Sequence, residues 1–222
     1  MESSATSEPR PPSPNEPYVF LNCPFDDEYE PLLNAMMLAV LSCGFVPRVA
    51  NESVLGSLPR IDRICQALHG SRFSIHDLSR CRGEGDENLA RFNMPLELGI
   101  AMGRQYAALS SPEHAHDWFV LVPDGHTHLK FVSDLAGFDP GTHDETPRAI
   151  VPVIMKWLLT IQGSAGFNSG ILPTHVIEAI PRLEAVMERL NVGWDGTRPP
   201  WIHRVQAVRS IIPTLSPPDE KD

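Results

Sequence analysis

Basic residues are scarce in this chain: 18 Lys and Arg stand against 28 Asp and Glu in 222 residues, a formal net charge of -10. A nucleic-acid partner needs a basic stripe that releases counterions, so the composition excludes that class. No stretch approaches the roughly 18 uninterrupted apolar residues of a membrane span, and the N-terminus lacks an apolar signal region. These absences predict a cytoplasmic protein with no membrane contact. Only four cysteines occur, Cys23, Cys43, Cys65 and Cys81. Their positions fit neither paired CxxC zinc motifs nor a compact disulfide scaffold, which predicts free, mostly buried thiols. P-loop, GxGxxG, GxSxG and kinase signatures are missing as well.

What is present is an ordinary globular composition, 42% hydrophobic and 21% charged, enough for one sizeable core. Residues 1–17, rich in Ser, Pro and Glu, read as a disordered tail. From Tyr18 onward, β-prone and helical runs alternate. Strands are predicted at residues 18–22, 45–50, 73–79 and 118–122, with at most a vestigial fifth at Phe138 and Asp139. Helices are predicted at 31–43, 60–69, around Glu97, and at 146–161. This alternation implies an α/β domain over 18–162, a flavodoxin-like parallel sheet flanked by helices. Residues 163–222 form a helical C-terminal extension, with helices expected near 174–190 and 201–212.

The most informative segment runs from Arg91 to Ala101, where Glu97 interrupts an apolar helical run. Leu96, Ile100 and Gly103 recur at helical spacing, and Glu97 lies one position round, at the edge of the expected packing face. Desolvation there raises a carboxylate's pKa and suits it to chemistry. In open α/β sheets ligands bind at the carboxyl ends of the strands. Asn22, Asp26, Asp77, Ser79 and Asp124 fall at that edge, and Glu97 shares it. Five histidines, His114, His116, His126, His128 and His143, crowd one third of the chain, but no HExxH or cysteine partner completes a metal site, so no metal is expected.

The segment 18–25, YVFLNCPF, taken with Glu97-Leu98-Gly99, resembles the nucleoside 2-deoxyribosyltransferases and the wider TIR-like superfamily. The resemblance spans about 18–162. It implies cleavage of an N-glycosidic bond in NAD or a related nucleotide, with Glu97 as the catalytic carboxylate and NAD as substrate, without a cofactor. An oxocarbenium-like transition state is stabilised or trapped by such a group. The same resemblance implies that Asp77 and Ser79 hold ribose hydroxyls and that Phe20 or Phe25 packs on the base or nicotinamide. Arg91 and Asn93 would contact a phosphate or base amide. It further implies a setting in bacterial immune signalling.

Other readings of the same residues stay open. Glu97 also reads as a first-turn carboxylate favoured by the helix dipole. Phe20 and Phe25 suit a core, Asp77 and Ser79 a turn, and Arg91 a solvated loop. On those readings the domain is a non-catalytic nucleotide-binding or signalling module, with the C-terminal helices making a homo-oligomer or partner contact.

Overall fold

The computed structural model describes residues 17–52, 58–81, 92–107, 116–162 and 170–215. Residues 1–16 of the expected N-terminal tail and Arg91 lie outside these residues, as does His114. Five strands form one parallel sheet: β1 (Tyr18–Asn22), β2 (Val46–Arg48), β3 (Phe73–Asp77), β4 (Asp117–Pro123) and β5 (Gly141–His143), in spatial order β2-β1-β3-β4-β5. This is the flavodoxin-like order. β1 and β3 are buried along their whole length, because a central parallel strand meets helices on both faces. Pro47 sits in β2, an edge strand, where a missing backbone donor is tolerated.

Side chains alternate across the sheet. Val19, Leu21, Phe73 and Ile75 join the larger core with α1 (Glu30–Ser42) and α4 (Pro147–Gln162). Phe20 faces the other side, packing with Ile64 and Leu68 of α2 (Arg60–His69) and Ala101 of α3 (Asn93–Ala107). α1 is apolar nearly all round, and eleven of its residues, from Leu32 to Ser42, are buried. A helix of that kind needs cover on both sides. The C-terminal helices provide it: α5 (Pro173–Glu178), α6 (Ile180–Gly193) and α7 (Trp201–Arg209) pack against α1, with α5 also on α4. Arg204 of α7 is buried and donates to Asn34 Oδ1 at 2.9 Å, and Trp201 Nε1 donates to the Pro47 carbonyl at 3.0 Å. No helix among the described residues is long and apolar enough to cross a membrane.

Three expectations need correction. The fifth strand is real but lies at Gly141–His143, beyond Phe138 and Asp139. The helix expected near 174–190 is two helices, with Pro181 in the first turn of the second. On α3, the expected stripe of Leu96, Ile100 and Gly103 is split: Ile100 packs, half-buried, against the Phe20 cluster, whereas Leu96 and Gly103 are exposed. Met94, Glu97, Leu98 and Ala101 are the buried residues, while Leu96 is 60% exposed. Both faces of this helix are apolar, so periodicity alone does not distinguish inside from outside.

β5 packs closely on α4 and β4. A Cβ added to Gly141 would lie 2.6 Å from Phe119 Cζ and closer still to Val153 Cγ1. Phe119 stacks on Trp157 with ring centroids 5.0 Å apart. Gly141→Ala is therefore expected to destabilise the fold by about 1–3 kcal/mol through overpacking. Urea denaturation checks this, and an unchanged midpoint would contradict the packing described.

Candidate active site

A cleft of about 280 Å³ opens at the carboxyl edge of the sheet. Cys23, Pro24, Phe25 and Asp26 line it after β1, Asn51 after β2, Arg60 at the start of α2, and Asn93 and Met94 at the start of α3. The order β2-β1-β3 creates this convergence, since α2 and α3 lie side by side over the same face. Glu97 sits one turn beyond Asn93 and does not itself line the cleft, which it meets through Arg60. Its carboxylate is buried, and Oε1 lies 3.5 Å from Nη2 of Arg60, whose side chain is half exposed. Burial pushes the Glu97 pKa up to about 7, against the opposing pull of Arg60. Near neutral pH both protonation states of Glu97 are populated, as suits a group that must exchange a proton or a charge.

Asn22 sets the position of the helix that carries Glu97. Its amide nitrogen donates to the Met94 carbonyl at 2.9 Å and to His76 Nδ1 at 2.9 Å. The first bond fixes the amide orientation, which makes His76 Nδ1 an acceptor and leaves its proton on Nε2. His76 Nε2 then donates to Ser74 Oγ at 2.8 Å; His116 lies next, its Nε2 2.8 Å from Ser74 Oγ and its Nδ1 3.0 Å from both the Ser71 carbonyl and Arg104 Nη1. Asn22, Ser74, His76 and His116 are all buried, and the Arg104 guanidinium beside His116 favours a neutral imidazole there. Accordingly, burial lowers the His76 pKa to about 3 and the His116 pKa to about 4.

Asp77, on the opposite face of the sheet, forms a second buried network. Its carboxylate accepts from the Ser79 backbone N–H at 2.7 Å, from the Ser79 hydroxyl and from the Tyr29 hydroxyl, and His143 Nε2 lies 3.2 Å away. Burial opposes the Asp77 charge, but the His143 imidazole and the Ser79 and Tyr29 bonds outweigh it and hold the pKa below the usual carboxylate range. Burial likewise opposes a charge on His143, yet Asp77 prevails and raises that pKa. Cys23 lies within electrostatic range of both Asp77 and Glu97. Burial and then these carboxylates push its thiol well up, so it stays protonated and is no nucleophile.

The structure thus sorts the residues singled out in the sequence. Phe25, Asp26 and Asn93 line the cleft beside Glu97. Phe20 is fully buried in the core, so it offers no ring face to a ligand. Asn22, Asp77 and Ser79 are buried and engaged in the networks above, so ribose contacts from them would have to displace existing bonds. Asp124 is exposed at the end of β4, its backbone N–H donating to the His143 carbonyl, and it does not line the cleft. Sequence reasoning missed Arg60, which reaches Glu97 only through the strand order. It weighed His143 only as a metal candidate, because the strand holding it was placed too early. Among the described residues no group of three or more His, Cys, Asp or Glu side chains is arranged to hold a metal. A larger groove of about 560 Å³ between α1 and α6 shares no residue with this cleft.

The Asp77 network sets a pH dependence. Its depressed pKa contributes stability above the unfolded value of about 3.9, lost as pH falls through the folded value. The raised His143 pKa contributes fully below about 6.5 and is lost as pH rises through the folded value. Stability from this pair is therefore greatest between about pH 4 and 6.5. Asp77→Asn should lower stability by about 3–5 kcal/mol and flatten that profile in denaturation at several pH values; a variant with wild-type stability and profile would contradict it. No family model matches the chain and no curated protein matches it, so a functional reading rests on this geometry.

Proposed function

We propose that the protein is a TIR-like or deoxyribosyltransferase-like enzyme that cleaves the N-glycosidic bond of NAD or a related nucleotide, with Glu97 as the catalytic carboxylate. The observation that carries this reading is a desolvated carboxylate, its pKa raised to about 7, beside a polar cleft at the carboxyl edge of a parallel sheet. The ionised form of Glu97 would stabilise the oxocarbenium-like ribosyl centre or attack its anomeric carbon. Arg60 would turn from Glu97 to a substrate phosphate, a partner its guanidinium suits. Such a turn would open the carboxylate to the reacting centre. Phe25 would pack on the base or nicotinamide ring, and Asn93 would bond its amide. NAD is then a substrate, no cofactor is required, and the site of action is the cytoplasm. Resemblance to TIR-like proteins supports a role in bacterial immune signalling as a homo-oligomer.

One observation favours a second reading. Glu97 is only 3% exposed and already paired with Arg60, an arrangement equally suited to a non-catalytic nucleotide-binding or signalling module. Incubation of wild type and Glu97→Gln with NAD and with deoxynucleosides separates the two. The enzyme reading expects product from wild type and a loss of at least about a hundredfold in the variant. Equal turnover by both proteins would sink the assignment of Glu97. Tight nucleotide binding without product would establish the module instead.

A further inference from the structure

Glu97 and the cleft communicate through one side chain. Among the described residues Arg60 is the one basic group that lines the cleft, whereas Glu97 is buried and does not line it. The Arg60 side chain is half exposed on the cleft side and has the buried carboxylate 3.5 Å behind it. That separation is longer than the about 2.8 Å of a tight charge-assisted bond, so the pair is loose. A guanidinium's planar fork suits an oxyanion better, since it can take one with two parallel bonds. The rest of the cleft favours an anion at that place. Arg60 opens α2 and Asn93 opens α3, so the positive ends of both helix dipoles meet there. Asn51 and Asn93 add amide donors. Asp26, the carboxylate of the lining, already has Arg80 at 3.2 Å.

We propose that Arg60 is an anion-operated latch on Glu97: a phosphate-class oxyanion in the cleft draws the guanidinium away, and the carboxylate left without its counter-charge takes up a proton from solvent. Anion binding and protonation of Glu97 are then one coupled event. The sign follows from electrostatics, since a nearby cation favours the ionised carboxylate and its departure leaves burial unopposed. The other elements packed against α3 carry little that competes. Cys23, after β1, stays a neutral thiol, and His76 on β3 is a neutral imidazole. Asp77 faces the opposite side of the sheet with its own partners, and Asp117 starts β4 at the far edge. On α2, Asp62 and His69 are exposed, Arg63 and Cys65 partly buried, and of these charges only that of Arg60 bears on Glu97. If Glu97 acts in its ionised form, as proposed above, a small oxyanion is an inhibitor whose effect fades as pH rises. Only this consequence rests on the catalytic reading. A substrate differs in bringing a positive centre to Glu97 as its glycosidic bond breaks, which favours the ionised carboxylate.

Inorganic sulfate tests the coupling on the full chain, because it has the shape of phosphate and keeps its full charge across the neutral range. Carboxyl NMR of Glu97 is recorded with saturating sulfate and with chloride at the same ionic strength. In wild type, sulfate should move the Glu97 midpoint upward by about one pH unit. In Arg60→Gln the midpoint should already be raised in chloride, and sulfate should leave it there. Linkage requires the reciprocal effect: sulfate affinity, read from the Asn93 backbone amide, should be about tenfold tighter below the Glu97 midpoint than above it. Glu97→Gln, which mimics the protonated acid, should bind with the tighter affinity at every pH. A wild-type midpoint unmoved by sulfate would overturn the inference, and so would an equal movement in Arg60→Gln. An amide that responds to no concentration of sulfate, or an affinity with the same pH dependence in wild type and Glu97→Gln, would do the same. Turnover enters none of these measurements, so an inactive protein leaves the latch standing, and a failed latch leaves the enzyme reading to the assays with NAD and deoxynucleosides.

Discussion

A carboxylate without access to water, Asp77, joins the parts of the carboxyl edge on which the rest of this fold depends. It lies at the end of a central strand and gathers Tyr29 from the loop before α1, Ser79 from the loop after β3, and His143 from the edge strand β5. A buried charge is tolerated only when its lone pairs are satisfied, and here three different segments supply the partners. The short β5, three residues long, reaches Asp77 across β4. The same network fixes where the β1–α1 loop runs, and that loop makes one wall of the cleft. Arg198 reinforces it from the C-terminal extension by donating to the Phe25 carbonyl at 2.7 Å.

On the other face of the sheet, Asn22 and His76 are register partners on adjacent strands and form a fastener of the opposite character, neutral throughout. Its purpose in the architecture is to hold the Met94 carbonyl and hence the first turn of α3. The two networks sit back to back on β3, one charged and one neutral. Between them they leave Glu97 as a buried carboxylate whose ion pair among the described residues is a single, rather long one to a half-exposed arginine. Asp77 accepts hydrogen bonds from Ser79 and Tyr29 and has His143 beside it, whereas Glu97 has only Arg60 among the described residues. That contrast in compensation explains why burial lifts one pKa while the other falls.

Much of the fold was legible in the sequence. The run at residues 18–22 has the continuous apolar character of a strand buried on both faces, and α2 is amphipathic and bracketed by Pro59 and Gly70, so both bounds match the structure. The β5 strand was displaced because Gly141, Thr142 and His143 show no apolar alternation; pairing with β4 makes them a strand. The address of Glu97 at the sheet's carboxyl edge followed from its place after β3. Its partner did not, since Arg60 belongs to another βα unit and meets Glu97 only because β1 lies between β2 and β3. The expected packing stripe of α3 matches only in part for a related reason: Ile100 packs on the core while Leu96 is exposed, and residue type is alike on both faces of the helix.

The central claim is that Glu97 is an under-compensated buried carboxylate whose protonation changes near neutrality. Carbon-13 NMR of the side-chain carboxyl in protein labelled at glutamate, with the Glu97 signal assigned by its absence in Glu97→Gln, follows that titration directly. The account predicts a midpoint of about 7 for Glu97. A midpoint near 4.3, the value of an ordinary solvated glutamate, would contradict it.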